Sequence, residues 1–221
     1  MTPGSSWKGN LRAAAIENLL LSPAGQDERG KERLELIDIF GDEKGHDTRD
    51  ISDQTKQDMP LARYLDRFAP FPTDEMTGRQ IAPAGRKGRI RLLPSYYNGV
   101  DLDILNPRDR ATRAGTNPIV MEVVPVGTKG RFGIIYLPFD LIGRPENEIR
   151  GPISRDWKLI GEAIRRMFRV SGFGAKKSSG CGKARQAISA FRFECRLPGF
   201  RAAVATSFDD VRILHGSFGA E

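Results

Sequence analysis

The sequence is short of most of what metal, redox and nucleotide chemistry require. Two cysteines, Cys181 and Cys195, stand in 221 residues. That is too few for a disulfide scaffold or a four-cysteine zinc site. His46 and His215 are the only histidines, and no His/Cys cluster has ligand spacing. Neither a metal nor another cofactor is expected. No apolar run approaches the roughly 18 residues of a membrane span, and the N-terminal MTPGSS lacks a signal-peptide pattern. The expectation is a protein of the reducing cytoplasm with no membrane partner. The common nucleotide motifs fail too. Gly182 and Lys183 are followed by Ala184, where a P-loop needs Ser or Thr, and Lys177 stands where its first glycine belongs. After Gly172 and Gly174, the third position of a dinucleotide fingerprint is again Lys177.

What the chain does have is residues 172–183, GFGAKKSSGCGK, with four glycines, three lysines and two serines in twelve positions. Glycine lets the backbone turn where a side chain would block it and lets it approach a ligand closely. Turned amides, hydroxyls and ammonium groups suit an oxyanion, most commonly phosphate. A Gly/Ser-rich surface connection with solvated lysines is the plainer reading of the same residues. The charge distribution bears on the choice. The chain carries +7 overall, while residues 25–60 hold eleven acids and six bases, net −5, which leaves +12 on the rest. A field of that sign favours a polyanion such as nucleic acid.

In chain order, residues 3–6 predict a turn into a helix over 7–20, with Ser5 or Ser6 as cap. Trp7, Leu11, Ala14, Ala15 and Leu19 recur at helical spacing and mark its buried face. Lys8 and Arg12 share the other face. Cations in the first two turns oppose the helix dipole unless an anion is present, so they are candidates for phosphate contacts or simply solvated bases. Residues 22–60 are polar apart from the apolar patch 34–40, and 42–58 are expected to form a mobile loop. Residues 61–68 fit one or two helical turns, and the prolines make 70–85 irregular. A strand is predicted at 89–93. Residues 94–116 show no regular pattern but hold Tyr96, Tyr97, Arg108, Arg110 and Arg113. Such side chains stack on bases and contact phosphates, so an ordered functional loop is expected, with a solvent-facing β-hairpin extension as the alternative. Residues 118–124 and 131–137 predict two strands of one hairpin turning at Gly127. Residues 138–153 read as a loop. A second helix is expected over 155–169, capped by Ser154, with Trp157, Ile160, Ile164, Met167 and Phe168 buried. Strands at 191–196, 202–206 and 211–214 complete the reading.

This order fits an α+β, ferredoxin-like domain of the RNA-recognition type, β-α-β-β-α-β, spanning 1–221 with insertions at about 22–86, 94–116 and 138–153. The first strand is missing from it.

Four segments then resemble one family. Pro3–Arg12 (PGSSWKGNLR) is similar to the "PGSSLKGxLR" signature of the RAMP superfamily, the RNA-binding subunits of type III CRISPR effector complexes. Phe40–Asp42 (FGD) resembles its "FG" segment. Asn106–Gly115 followed by Glu122–Thr128 resembles its central "DRxTxxA…EvvpxGT" region. Gly172–Gly182 resembles its "GxGxKxSxGxG" loop. The matches occur in the family's order. The resemblance implies a CRISPR RNA-binding subunit in antiviral defence, partnered by CRISPR RNA, target RNA and other complex subunits. Ser5, Ser6, Lys8 and Arg12 would grip the guide backbone from one side. Gly172, Gly174, Lys176, Lys177, Ser178, Ser179, Gly180 and Gly182 would do so from the other. Arg108, Arg110 and Arg113 would reach over the guide or its duplex. In target-cutting relatives the catalytic aspartate lies upstream of the "GSS" motif, so no residue here inherits that role: either the subunit does not cut, which is the expectation, or the chain lacks its natural start. An endoribonuclease is the alternative, for which a metal-free mechanism would draw on His46 or His215. Asp101, Asp103 and Asp109 read as turn and ion-pair carboxylates rather than metal ligands.

Overall fold

The computed structural model of the chain describes residues 1–41, 65–81, 86–115 and 117–185. Helix α1 runs Gly4–Leu21 and α2 Gln26–Phe40; the strands are β1 Ile90–Leu92, β2 Asp101–Leu105, β3 Ile119–Val123 and β4 Ile134–Tyr136; α3 is Glu146–Arg166. A π-helical turn, Met167–Ser171, continues α3, and a 3-10 turn covers Lys177–Ser179.

The strands form two antiparallel pairs, β1 with β4 and β2 with β3. Ile90 faces Tyr136 and Leu92 faces Ile134. Helix α1 packs along α3 and against β1. The α1-β1-β4-α3 unit is the α-β-β-α centre of the ferredoxin-like order, and the fold is α+β. The β2–β3 hairpin is an arm inserted between its two strands. Just before α1, Thr2 exchanges two backbone hydrogen bonds of 2.9 Å with Ser95, which follows β1.

The helical periodicity of α1 predicts its buried face correctly: Trp7, Leu11, Ala14, Ala15 and Leu19 are all buried. Trp7 is the hub. Its ring meets Phe132 edge-on at 5.0 Å, Phe168 at 5.6 Å and Phe173 at 4.6 Å. Its Nε1–H donates to Ser95 Oγ at 2.9 Å. Three segments distant in sequence thus meet on one indole, each aromatic contact adding about 0.5–1.5 kcal/mol beyond area burial. Gly4 allows this approach, because a Cβ there would overlap the Leu92 carbonyl.

A buried ionic network sits beside β1 and β4. Arg89 donates from Nη1 to Asp156 at 2.8 Å, from Nε to Asp140 at 3.0 Å and from Nη2 to Asp140 at 2.5 Å. The Tyr136 hydroxyl donates to the same Asp156 oxygen at 2.6 Å. Burial pushes the Asp156 carboxyl up to about 6, against the lowering by Arg89 and Tyr136. The Arg89 hydrogen bond holds Asp140 below the usual carboxylate range. Burial, reinforced by Asp156, keeps Tyr136 a phenol.

The structure corrects several expectations. Pro3, not Ser5 or Ser6, occupies the N-cap of α1, and no side chain caps it. The patch at 34–40 is the end of a full helix, α2, whose buried face includes Arg33. That face escaped the apolar pattern because Arg33 donates to Asp66 at 2.8 Å and the Ala69 carbonyl at 3.1 Å, with its guanidinium 3.9 Å from the Phe71 ring centre. Residues 94–116 are not a patternless loop: β2 lies within them and pairs with β3, so the hairpin-extension alternative holds. β3 and β4 do not form a hairpin with each other. Gly127 does turn, at φ 90°, but it joins two different sheets. The second helix starts at Glu146 and carries Pro152 inside it, so Ser154 is not its cap and much of 138–153 is helical. Trp157 is only partly buried. The expectations for 42–64, including His46, lie outside the described residues, as do those for the strands from 191 onward and for His215 and Cys195. No helix among the described residues is long and apolar enough to cross a membrane.

Candidate nucleic-acid interface

The glycine loop leaves the end of α3 and returns to it. Five of its residues adopt left-handed backbone: Gly172, Gly174, Lys176, Gly180 and Gly182 have φ between 55° and 84°. Lys176 is the non-glycine member, at φ 55°. Its carbonyl accepts from Ser179 N–H at 3.0 Å and Cys181 N–H at 3.4 Å, which fixes the turn around Lys177–Ser179. The loop closes where Phe173 N–H donates to the Gly182 carbonyl at 3.0 Å. Its exit is pinned by Ala184 N–H on the Phe168 carbonyl at 2.9 Å and by the Arg169 guanidinium on the Ala184 carbonyl. Phe173 anchors it to the core through Trp7 and Phe168. Lys177, Ser178, Ser179, Gly180 and Cys181 are exposed.

Closure depends on Gly182. A Cβ there would overlap the Phe173 carbonyl, in a backbone conformation that L side chains rarely adopt. At Gly180, φ is also positive, 84°, but an added Cβ meets nothing. Gly180→Ala should therefore cost about 1–2 kcal/mol for the left-handed backbone alone, and Gly182→Ala distinctly more. Thermal melting of the two variants side by side checks this; equal shifts would mean the loop closes without the Phe173–Gly182 contact.

The loop reaches two other elements. Lys177 Nζ donates to Asn10 Oδ1 on α1 at 3.3 Å, and Lys176 Nζ lies 3.4 Å from Asp103 Oδ2 on β2. On the α1 side, Ser5 and Ser6 are exposed in the first turn, and Lys8 and Arg12 are half-buried. That first turn has no acidic residue and no side-chain cap. The first N–H groups of a helix have no intrahelical partner and carry the positive end of the dipole. The Lys177–Asn10 contact sets the glycine loop beside the Ser6 and Asn10 side of α1, while Lys8 and Arg12, two residues from Asn10 on either side, face away from that contact and Arg12 borders α2.

Arg108, Arg110 and Arg113 are not part of that contact. They stand exposed at the tip of the β2–β3 arm, beyond the last strand pair Leu105–Ile119, with Arg108 bridged to Gly115. The tip is rigidly built. Asp109 Oδ1 accepts from Ala111 N–H at 2.9 Å, Thr112 N–H at 2.7 Å and Thr112 Oγ1–H at 3.0 Å. These bonds hold Asp109 ionised, below its ordinary range. Arg113 takes φ 57°, and its N–H donates to the Asp109 carbonyl at 2.9 Å. Asp101 accepts from Leu102 N–H at 2.8 Å. Among the described residues, no group of three or more His, Cys, Asp or Glu is placed to hold a metal ion.

Asn10 and Asp103 are contacts that residue type alone did not single out as binding residues. For Asn10 the signal was its place inside PGSSWKGNLR. For Asp103 it was the alternation of Asp101, Leu102, Asp103 and Ile104, which marks a strand with its carboxylates on one face.

The fold is that of an α+β domain of the ferredoxin-like, RNA-recognition type. The sequence profile of the RAMP superfamily matches residues 3–185. The chain belongs to that superfamily, a group associated with RNA binding in CRISPR–Cas systems. The matched span ends just past the glycine loop, so it contains both sides of the Lys177–Asn10 contact. A search of curated proteins gives no match.

Proposed function

We propose that this chain is a CRISPR RNA-binding subunit of a type III effector complex, acting by binding rather than by cutting. The observation that carries the reading is the contact of Lys177 with Asn10, which brings the glycine loop to the second turn of α1, one turn past its uncapped start. Two anion-attracting features that lie at opposite ends of the matched span become one surface. In this reading Ser5, Ser6, Lys8, Arg12 and the amides of the α1 start form one jaw. Gly172, Gly174, Lys176, Lys177, Ser178, Ser179, Gly180 and Gly182 form the other, and the guide backbone lies between them. Arg108, Arg110 and Arg113, carried outward on the arm, contact RNA farther along, either guide or bound target. The whole chain acts as one domain in the cytoplasm, and the partners are CRISPR RNA and neighbouring subunits.

The test is single-stranded RNA binding across a salt series. A clamp of phosphate contacts gives an affinity that falls steeply with salt, about 0.7 in log–log slope per phosphate on a single strand. Changing Lys8, Arg12, Lys176 and Lys177 together to alanine should weaken binding by orders of magnitude and flatten the slope by about 3. The variant should stay folded, since none of the four side chains is fully buried. Equal binding by variant and parent would remove the clamp. Specific cleavage of CRISPR repeat RNA or of guide-complementary RNA by the parent would overturn the binding-only role.

A further inference from the structure

We infer that Asp103 is an internal competitor of RNA for Lys176: its carboxylate occupies, in the free protein, the position a backbone phosphate takes in the complex. The inference rests on the clamp reading above and adds to it a residue that tunes affinity downward.

The geometry behind it is simple. Lys176 and Lys177 are adjacent, and each ammonium ends on an oxygen supplied by a different element. Lys177 meets the neutral amide oxygen of Asn10 at 3.3 Å, and Lys176 meets the carboxylate of Asp103 at 3.4 Å. An ammonium beside a carboxylate oxygen is satisfied by the same chemistry a phosphate oxygen offers: a full negative charge accepting from N–H. The two anions cannot share Lys176 without mutual repulsion, so a phosphate that takes the ammonium displaces the carboxylate.

The pair is also poorly suited to a structural role. Its side chains are 26% and 56% exposed, and its distance exceeds the roughly 2.7–2.9 Å of a strong charge-assisted bond. Exposed pairs of that kind hold little together and are easily exchanged for another anion. The arm does not need the contact for its own placement. Its root is fixed by Asn98 N–H on the Lys129 carbonyl at 3.4 Å and Lys129 N–H on Asn98 Oδ1 at 3.0 Å. Its ladder pairs Asp103 with Met121 through the backbone. Lys176, by contrast, is held firmly in a left-handed turn that aims its side chain at the arm.

A competitor and a tether predict opposite signs. If Asp103 competes, Asp103→Asn tightens single-stranded RNA binding, by about fivefold at low salt, and the gain shrinks as salt screens the pair. If Asp103 merely positions the loop, the same change weakens binding. Glu122→Gln is the control for removing one negative charge. It sits on the same arm, but opposite Leu102 and therefore on the other face from Asp103. The expected result is a gain for Asp103→Asn well above that of Glu122→Gln, abolished when Lys176→Ala is already present. A gain no larger than the control, a gain that survives in Lys176→Ala, or weaker binding each overturns the inference while leaving the clamp standing. Failure of the parent chain to bind RNA at all overturns both.

Discussion

Replacing Arg89 with alanine should lower the stability of the fold by about 3–5 kcal/mol and its melting temperature by roughly 6–20 °C. What remains after the change causes the loss. Asp156 is 1% exposed and would be left with only the Tyr136 hydroxyl, so it must either stay charged without its cation or take up a proton, its pKa raised further once Arg89 no longer lowers it. A buried charge stripped of its partner costs far more than the intact pair contributes. Asp140 would rehydrate, because it faces solvent. The same network gives the protein a pH signature. Folding raises the Asp156 carboxyl to about 6, whereas a free aspartate titrates near 3.9. The folded state then holds that proton more tightly than the unfolded state. The stability contributed by this group is complete below about pH 4 and falls as pH rises to about 6, by about 3 kcal/mol in all. Asp156→Asn removes the group, so its stability should change less with pH across that window. Urea titrations of parent and variant near pH 4 and pH 6 read both effects. A parent whose change in stability between pH 4 and pH 6 matches that of Asp156→Asn would show that Asp156 is ionised at no cost.

Trp7→Ala is the second large effect. Truncating a fully buried indole costs about 3–5 kcal/mol, and Trp7 is 2% exposed at the centre of the core. The change also removes the ring on which Phe173 rests. The glycine loop should loosen more than the rest of the fold, with faster amide exchange at 173–183 than in α3. RNA binding should weaken even at temperatures where the variant is folded. Trp7→Phe keeps a ring in place and forfeits the bond to Ser95 Oγ, worth about 1 kcal/mol; it should retain most of the RNA affinity. Amide exchange that rises evenly through the chain in Trp7→Ala would show that the loop is positioned by other contacts.

The buried face of α1 was legible because Trp7, Leu11, Ala14, Ala15 and Leu19 keep one period over four turns, and nothing interrupts it. The end of α3 was legible for the same reason: Ile160, Ile164, Met167 and Phe168 are buried as the spacing predicts. Its beginning was not, because Pro152 reads as a break. In the fold, the six residues before Pro152 are already helical, and the helix runs through it. Strand partners were the weakest reading. Neighbours in sequence usually pair, which favours β3 with β4. Here the chain departs from β1, builds an arm, and returns to β1, so the pairing that matters joins residues more than forty apart. The alternation in β2 is masked by Pro94, Gly99, Pro107 and Gly115 around it. For the site, the residue types pointed at the loop and the helix start as separate anion sites. Their meeting through Lys177 and Asn10 is a product of tertiary packing on Trp7, which no local pattern encodes.

The two ends of the arm's root, Asn98 and Lys129, are hydrogen-bonded to each other, and that has a consequence for how such a chain can change. The core closes below this point: β1 has already found β4, and the helices have already covered them. Whatever is spliced between Asn98 and Lys129 adds only a slowly growing loop-closure term, about 0.6 kcal/mol per doubling of length. The arm is therefore a replaceable cartridge. Its length sets how far Arg108, Arg110 and Arg113 stand from the core, so that distance can diverge between relatives while the scaffold and the glycine loop at its base stay the same.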